Sequence, residues 1–149
     1  MHERRLIKRA IDEIHIGGAK KINFIWMEAN GCMGNIISFL NADQPDVSYF
    51  LKEMVNLKFS PSLMKAEGEV AYEEFLEVLD TNFILGVEGA LTNMDEGFYN
   101  IFATYKGRRI ATAEAINLAS KKAKAIIAIG TCASFGGISA ARPNPTGCT

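Results

Sequence analysis

Short apolar runs alternate with helical patterns along most of this chain, and that alternation constrains its fold more than any other feature. Strands that alternate with helices are the signature of a parallel α/β sheet. The run at 83–87 is nearly all apolar, as expected for a strand that is covered on both faces. We therefore predict a doubly wound parallel sheet with strands at 22–27, 55–59, 83–87 and 125–129.

Apolar residues at helical spacing predict the connecting helices. One helix begins after Asp46, a suitable N-cap residue, and continues to Met54. A second helix is predicted over 67–80 and a third over 113–122. The second is expected to bury one apolar stripe, formed by Val70, Phe75, Leu76 and Leu79.

Two further segments are predicted to be non-helical. Residues 98–104 and 108–110 flank a Lys-Gly pair and are predicted to form a small hairpin at the edge of the sheet. Residues 130–149 are rich in Gly and Pro and are expected to be loop, with no helix to cover the last strand. The fold predicted for 21–149 is thus a single α/β domain.

The composition supports one folded domain and excludes several classes of function. The chain has 149 residues, of which 48% are hydrophobic, enough to bury a core. Its 16 basic and 17 acidic residues are interspersed, so no nucleic-acid-binding stripe is expected. No run reaches the roughly 18 apolar residues of a membrane span. Cys occurs 3 times, too few and odd in number for a disulfide framework, so we predict reduced thiols, free or metal-bound.

The first residues carry one feature of a targeting segment. Arg4 and Arg5 form a pair of the kind found in twin-arginine export signals, but the charged residues 10–15 contain no apolar stretch of signal length. Residues 1–20 are predicted to form an amphipathic helix or an extension, and the expected compartment is the cytoplasm.

The candidate site lies at the carboxyl ends of the predicted strands, where open doubly wound sheets bind ligands. Three loops leave these ends, at 28–32, 88–90 and 130–134. The fold should therefore bring Cys32 and Cys132 together at one edge of the sheet.

Two thiols in loops that contain glycine suit a thiolate-bound metal or cluster, because glycine lets the backbone approach closely. The alternative is that both are small buried hydrophobic residues, as free cysteines often are. Two thiolates do not complete a four-ligand site. The loop at 28–34 lacks the glycine patterns of dinucleotide and P-loop sites, yet a flavin phosphate loop remains an alternative.

Several stretches together resemble the small subunit of nickel-iron hydrogenases. They occur in the family's order, from about Lys21 to the last residue. The sequences are IWME at 25–28, GCMG at 31–34, VEGA at 87–90, AIGTCASFGG at 128–137 and ARPNPTG at 141–147.

The resemblance implies a flavodoxin-like domain that holds a proximal 4Fe-4S cluster through four cysteines. It also implies that the domain docks on a large subunit carrying the nickel-iron centre, and that electrons pass through the cluster to or from an acceptor or donor. By motif position, Cys32 matches the first cluster ligand and Cys132 the third. Glu28 matches an acidic residue at the subunit interface with a role in proton relay. Glu88 matches the glutamate of the V-E-G motif, with either a functional role or one in capping backbone amides.

The chain also departs from the family pattern. The family's C-x-x-C motif has become Cys32-Met33-Gly34-Asn35, and the amide oxygen of Asn35 is a poor iron ligand beside a thiolate. The fourth ligand, normally in a Gly-Cys-Pro-Pro turn, is not reached before Thr149, and the later domain for further clusters is absent, so we predict a truncated small-subunit domain. Cys148 is either a replacement ligand or an incidental thiol exposed near the chain end.

Three functions remain open at this stage. The first, favoured by the resemblance, is an electron-transfer subunit of a nickel-iron hydrogenase that is not catalytic alone. The second is a scaffold without a cluster that only binds the large subunit. The third is a flavodoxin-like module that binds flavin. They predict, respectively, iron with acid-labile sulfide, partner binding without iron, and a yellow protein.

Overall fold

Four parallel strands form the central sheet, as the alternating pattern predicts. The computed structural model describes residues 21–149. Its strands are β1 (Ile22–Glu28), β2 (Val55–Phe59), β3 (Phe83–Glu88) and β6 (Ala125–Ile129). Their spatial order is β2-β1-β3-β6, and β4 (Ile101–Tyr105) and β5 (Arg108–Ala111) form a separate hairpin. The α/β class is confirmed, whereas the helix or extension predicted for 1–20 lies outside the described residues.

Four helices connect these strands, namely α1 (Gly34–Leu40), α2 (Val47–Tyr49), α3 (Gly68–Val78) and α4 (Thr112–Ser120), and a fifth, α5 (Gly130–Phe135), follows β6. A π-helical turn, Phe50–Met54, continues α2, and a 3-10 turn, Gly137–Ala140, follows α5. The predicted N-cap is confirmed, since the Asp46 carboxylate accepts a hydrogen bond of 2.7 Å from the amide of Tyr49.

The two faces of the sheet are buried by different helices. Phe24 and Trp26 of β1 pack in a cluster with Ile36 of α1. The alternate residues Ile25 and Met27 pack in a larger cluster that contains residues of α3 and α4. Because successive side chains of a strand point to opposite faces, the centre of the sheet is covered on both sides, as in a doubly wound fold.

The predicted apolar stripe of the second helix was partly wrong. Val70 is 58% exposed, whereas Tyr72, Phe75 and Val78 are buried. These three residues recur every three positions along α3, so they share the face that lies on the sheet. Tyr72 was not part of the predicted stripe, although the body of its ring is apolar and can be buried.

The hairpin does not join the edge of the main sheet, contrary to the prediction. β4 (Ile101–Tyr105) and β5 (Arg108–Ala111) form a separate two-stranded sheet. Phe102 of β4 packs on the rings of Tyr72 and Phe75, with centroids 6.0 and 5.2 Å apart. This aromatic packing holds the hairpin over α3 and away from the edge of the sheet.

Two helices were missed in the sequence. α1 follows the loop after β1, and α5 occupies the first 6 residues of the segment 130–149 that was predicted to be a loop. Gly136 ends α5 in the left-handed conformation with φ of 78°, a common C-terminal signal that the sequence did contain. Within residues 21–149, no helix is long and apolar enough to cross a membrane.

Candidate functional site

The segments that follow β1 and β3 are joined to each other at the carboxyl end of the sheet. Asn30 and Ala90 exchange two backbone hydrogen bonds, of 3.0 and 2.9 Å. Gly89 adopts φ of 91°, and a Cβ added there would lie 2.8 Å from the carbonyl carbon of Ala29. Only glycine permits this approach, so the loop of the V-E-G motif is packed against the loop that leads to Cys32.

Cys32 and Cys132 both lie at this end of the sheet, as predicted from the topology. Cys32 is exposed in the loop after β1, and Cys132 is partly buried in α5, directly after β6. A Cβ added at Gly34 would lie 3.0 Å from the sulfur of Cys32. One added at Gly137 would lie 2.6 Å from the sulfur of Cys132. Each sulfur therefore lies close against a glycine, as expected where backbone must approach a bound group.

Asn35 of α1, the helix that follows Cys32, forms a hydrogen-bonded pair with Glu88 at the end of β3. The Glu88 carboxylate is 2% exposed and accepts hydrogen bonds from the backbone amide of Asn35 at 3.0 Å and from its Nδ2 at 3.2 Å. Its other oxygen accepts one from Trp26 Nε1 at 3.1 Å. The buried carboxylate thus accepts three hydrogen bonds, one of them from a backbone amide.

Glu28, the predicted proton-relay or interface residue, is tied to the loop after β2. Its carboxylate accepts hydrogen bonds from the backbone amide of Ser62 at 3.1 Å and from the hydroxyl of the same residue at 2.5 Å. A longer contact of 3.4 Å reaches the hydroxyl of Ser60. These contacts with serine were not predicted, since the sequence does not show which loops lie next to each other.

A cavity of about 430 Å³ opens beside Glu28. Aromatic rings of Phe59, Tyr72 and Phe102 contribute to its wall, and burial raises the pKa of Tyr72 above its usual value. The described lining residues include two carboxylates, those of Glu28 and Glu67, and no basic side chain. This charge disfavours a flavin phosphate there, because a phosphate needs positive charge or free amides.

Cys148 is a buried thiol, and the prediction that it is exposed near the chain end was wrong. It is 3% exposed, and its sulfur lies 3.1 Å from the hydroxyl of Thr146 and 3.6 Å from Nδ2 of Asn30. Its backbone amide donates to the side-chain oxygen of Asn144 at 2.8 Å. The last residues thus fold back onto the loop before Cys32, which the Gly- and Pro-rich composition did not reveal.

The donor set fits part of an iron-sulfur site. Cys32 and Cys132 supply soft thiolate ligands at one end of the sheet, which suits iron. Asn35 supplies no thiolate, and its amide nitrogen is turned to Glu88. In the part of the chain that the structure describes, no three His, Cys, Asp or Glu side chains are grouped to hold a metal ion. A complete four-cysteine set is therefore not formed by these residues.

Comparison with protein families identifies one matching group. The family model described as NADH ubiquinone oxidoreductase, 20 Kd subunit, matches residues 32–149. Among curated relatives, the periplasmic [NiFeSe] hydrogenase small subunit of Desulfomicrobium baculatum is 38% identical over 138 residues, covering 87% of this chain and 44% of that protein. Hydrogenase-2 small chain of Escherichia coli is 36% identical over 126 residues, covering 83% of this chain and 32% of that protein.

The solved structures that match this chain include hydrogenases as well. The reduced, active Ni-Fe-Se hydrogenase of Desulfomicrobium baculatum matches with a TM-score of 0.83 and 37% identity, covering 87% of this chain and 49% of that chain. The actinobacterial-type NiFe-hydrogenase of Ralstonia eutropha matches with a TM-score of 0.77 and 30% identity, covering 89% of this chain and 42% of that chain. The chain spans about half the length of these structures and less than half of the curated relatives.

Proposed function

From the premise that this chain belongs to the NADH ubiquinone oxidoreductase 20 Kd subunit family, we propose that it is the electron-transfer part of a nickel-iron hydrogenase small subunit. In this role it docks on a large subunit that contains the nickel-iron centre and carries electrons between that centre and an acceptor or donor. The chain is part of an oxidoreductase that acts on hydrogen, and it is not catalytic alone.

The observation that carries this proposal is the placement of Cys32 and Cys132 at the same end of the sheet, each against a glycine. Both positions match cysteines of the family motifs. These two residues would hold a proximal iron-sulfur cluster, which takes up and releases single electrons when it is bound. Glycine at 34 and 137 lets backbone lie close to each sulfur, and backbone amides near sulfur tune a cluster's reduction potential.

The proposed docking surface for the large subunit surrounds this end of the sheet. Two of its apolar side chains are almost fully exposed, Phe135 at 81% and Ile138 at 92%. Met33 and Ile37, at the start of α1, are exposed as well. Exposed apolar groups of this kind next to a site mark a protein interface. Glu28 is proposed to lie at this interface and to take part in proton relay, and the complex is proposed to be cytoplasmic.

A second candidate is a scaffold that binds the large subunit without a cluster. The observation that favours it is Asn35, which replaces a cysteine of the family motif with a side chain hydrogen-bonded to Glu88. A cluster would then have one thiolate fewer than the family provides.

The test is iron and acid-labile sulfide analysis, with low-temperature EPR after reduction, on anaerobic protein co-expressed with its large subunit. About four irons per chain and a reduced-cluster signal are expected, with both lost in Cys132→Ala. Cys148→Ala should keep the iron, because this buried sulfur contacts Asn30 and Thr146, and loss of iron in this variant would identify Cys148 as a ligand. Iron-free protein that still binds the large subunit would favour the scaffold, and a yellow, iron-free protein would favour flavin.

Docking is tested separately by co-purification. Phe135→Asp and Ile138→Asp should weaken binding of the large subunit, since each places a charge on the proposed surface. Val70→Asp on α3, where the native side chain is also exposed, is the matched control and should bind normally. Equal binding by all three variants would place the interface elsewhere.

A further inference from the structure

The cavity beside Glu28 is large enough to hold a small molecule or a long side chain. Its volume of about 430 Å³ lies within the roughly 300–1,000 Å³ that is common for ligand sites. Gly31 contributes to the lining, so the cavity adjoins the loop that leads to Cys32. A ligand bound there would therefore lie at the carboxyl end of the sheet, where doubly wound folds bind their ligands.

Aromatic rings form a connected part of the cavity wall. Phe102 packs on Phe59, with ring centroids 5.6 Å apart, and on Tyr72, with centroids 6.0 Å apart. Phe59 and Tyr72 are only 3% and 6% exposed, so contacts within the protein already hold these rings in place. A preformed apolar wall suits a ligand with an apolar body, because little conformational freedom is lost on binding.

The charge in the cavity comes from the carboxylates of Glu28 and Glu67. Hydrogen bonds from Ser62 hold the Glu28 carboxylate in place, whereas the Glu67 side chain, just before α3, makes no capping hydrogen bond. Lys65 of the same loop is exposed and lies outside the lining. The ion pairs between described residues are Arg108–Glu114 and Lys122–Asp80. Neither cavity carboxylate is therefore paired with a described basic side chain.

Carboxylates and aromatic rings together select for positive charge. A cation is attracted by both, since the face of an aromatic ring is the negative part of its quadrupole, whereas an anion is repelled by the carboxylates. We propose that this cavity binds an organic cation, namely an ammonium or guanidinium group on an apolar stem or ring. A free amine or a Lys or Arg side chain of the docked large subunit would supply this group. The inference does not depend on a cluster at Cys32 and Cys132.

The probe for this site is phenethylamine, which is protonated at neutral pH as other primary amines are. Titration of the full chain, followed by the backbone amide signals in heteronuclear NMR, gives the affinity and the location of binding. The signals of Gly31 and Phe102 should shift with the amine and saturate. Phenethyl alcohol, which has the same ring without the charge, should bind about tenfold more weakly. Phenylacetate, the matched anion, should not bind.

The two carboxylates are tested one at a time. Glu28→Gln and Glu67→Gln should each weaken binding of the amine by about three- to tenfold and leave binding of the alcohol unchanged. Glu74→Gln is the matched control, since it removes an exposed carboxylate of α3 that lies outside the cavity. Glu28 also holds Ser62, so Glu67→Gln is the variant that tests the charge without a structural effect on that loop.

Three results would overturn the inference: absence of amine binding, equal binding of amine and alcohol, or native affinity for the amine in both Glu28→Gln and Glu67→Gln. A complex with the large subunit separates the two sources of the cation. Unchanged amine binding by the complex would identify a free amine. Displacement of the amine, with weaker docking of Glu67→Gln than of Glu74→Gln, would identify a side chain of the large subunit. Iron-free protein that binds the amine would overturn the electron relay and leave this inference standing.

Discussion

β3 and β6 are neighbours in the sheet and come from similar apolar sequence, yet their surroundings differ. Leu85 of β3 is 0% exposed, whereas Ile126, its partner in register on β6, is 55% exposed. β3 lies between β1 and β6 and is covered on both faces, whereas β6 is the last strand of the described sheet. An apolar run therefore specifies a strand, but its position in the sheet decides how much the strand contributes to stability.

The largest difference between the two strands should appear when their paired residues are shortened. Leu85→Ala should lower the free energy of unfolding by about 2–5 kcal/mol, because it opens a cavity in a packed core. Denaturant unfolding with a linear extrapolation measures this. If the free energy of unfolding fell no more than it does for a substitution of an exposed residue, the core around β3 would be loosely packed.

Substitution at the end of β3 should cause the next largest loss in the free energy of unfolding. Glu88→Gln keeps one oxygen acceptor but turns an amide donor toward the donors of Trp26 or Asn35. The expected loss is about 1–3 kcal/mol, the cost of leaving a buried donor without its acceptor. Unfolding of Glu88→Gln beside Glu114→Gln, where the carboxylate is exposed, gives the measurement its control. Equal losses would show that burial of Glu88 is unimportant.

On β6 the matching truncation should have a much smaller effect. Ile126→Ala should cost about 1 kcal/mol or less, since over half of the side chain is already in water. The same unfolding experiment on Leu85→Ala and Ile126→Ala compares the two strands directly. A loss of several kcal/mol in Ile126→Ala would remove the distinction between them.

The smallest effect should come from an ion pair that touches neither strand. Arg108 binds Glu114 through two contacts of 3.1 and 2.6 Å, which lowers the pKa of the Glu114 carboxyl from its usual 4.5. A lowered pKa in the folded state gives stability that is present above 4.5 and is lost as the pH falls through the lowered value. Because the pair is exposed, the contribution is slight.

The measurement for this pair is unfolding across pH. Native protein should be slightly more stable than Glu114→Gln at neutral pH, and the difference should vanish in acid. A difference that grows as the pH falls would contradict the assigned direction of the pKa shift.

Much of the fold could be predicted from the sequence. The four parallel strands are confirmed nearly to the residue, because apolar runs of strand length stand out locally. The resemblance to nickel-iron hydrogenase small subunits is also confirmed, since several motifs occur in order along the chain. Helix α5 was missed although Gly136 marks its end. The predicted placement of the β4-β5 hairpin was wrong, since it depends on ring contacts of Phe102 with residues of α3 that are distant in sequence.

The site was predicted less completely. The topology rule placed Cys32 and Cys132 at one end of the sheet without any structure. The sequence marked Asn35 as a missing ligand, but not as a partner of Glu88 and Ile129. The exposure predicted for Cys148 was wrong, because its sulfur is buried by contacts with Asn30 and Thr146 that no local sequence pattern shows.

The contact between Trp26 and Glu88 gives the chain a built-in optical reporter. The sequence contains 1 tryptophan, and its indole is 5% exposed and hydrogen-bonded to the carboxylate that holds Asn35. Emission from this ring depends on the polarity and hydrogen bonding around it. Fluorescence of the unlabelled protein should therefore follow any rearrangement at the carboxyl end of the sheet in real time.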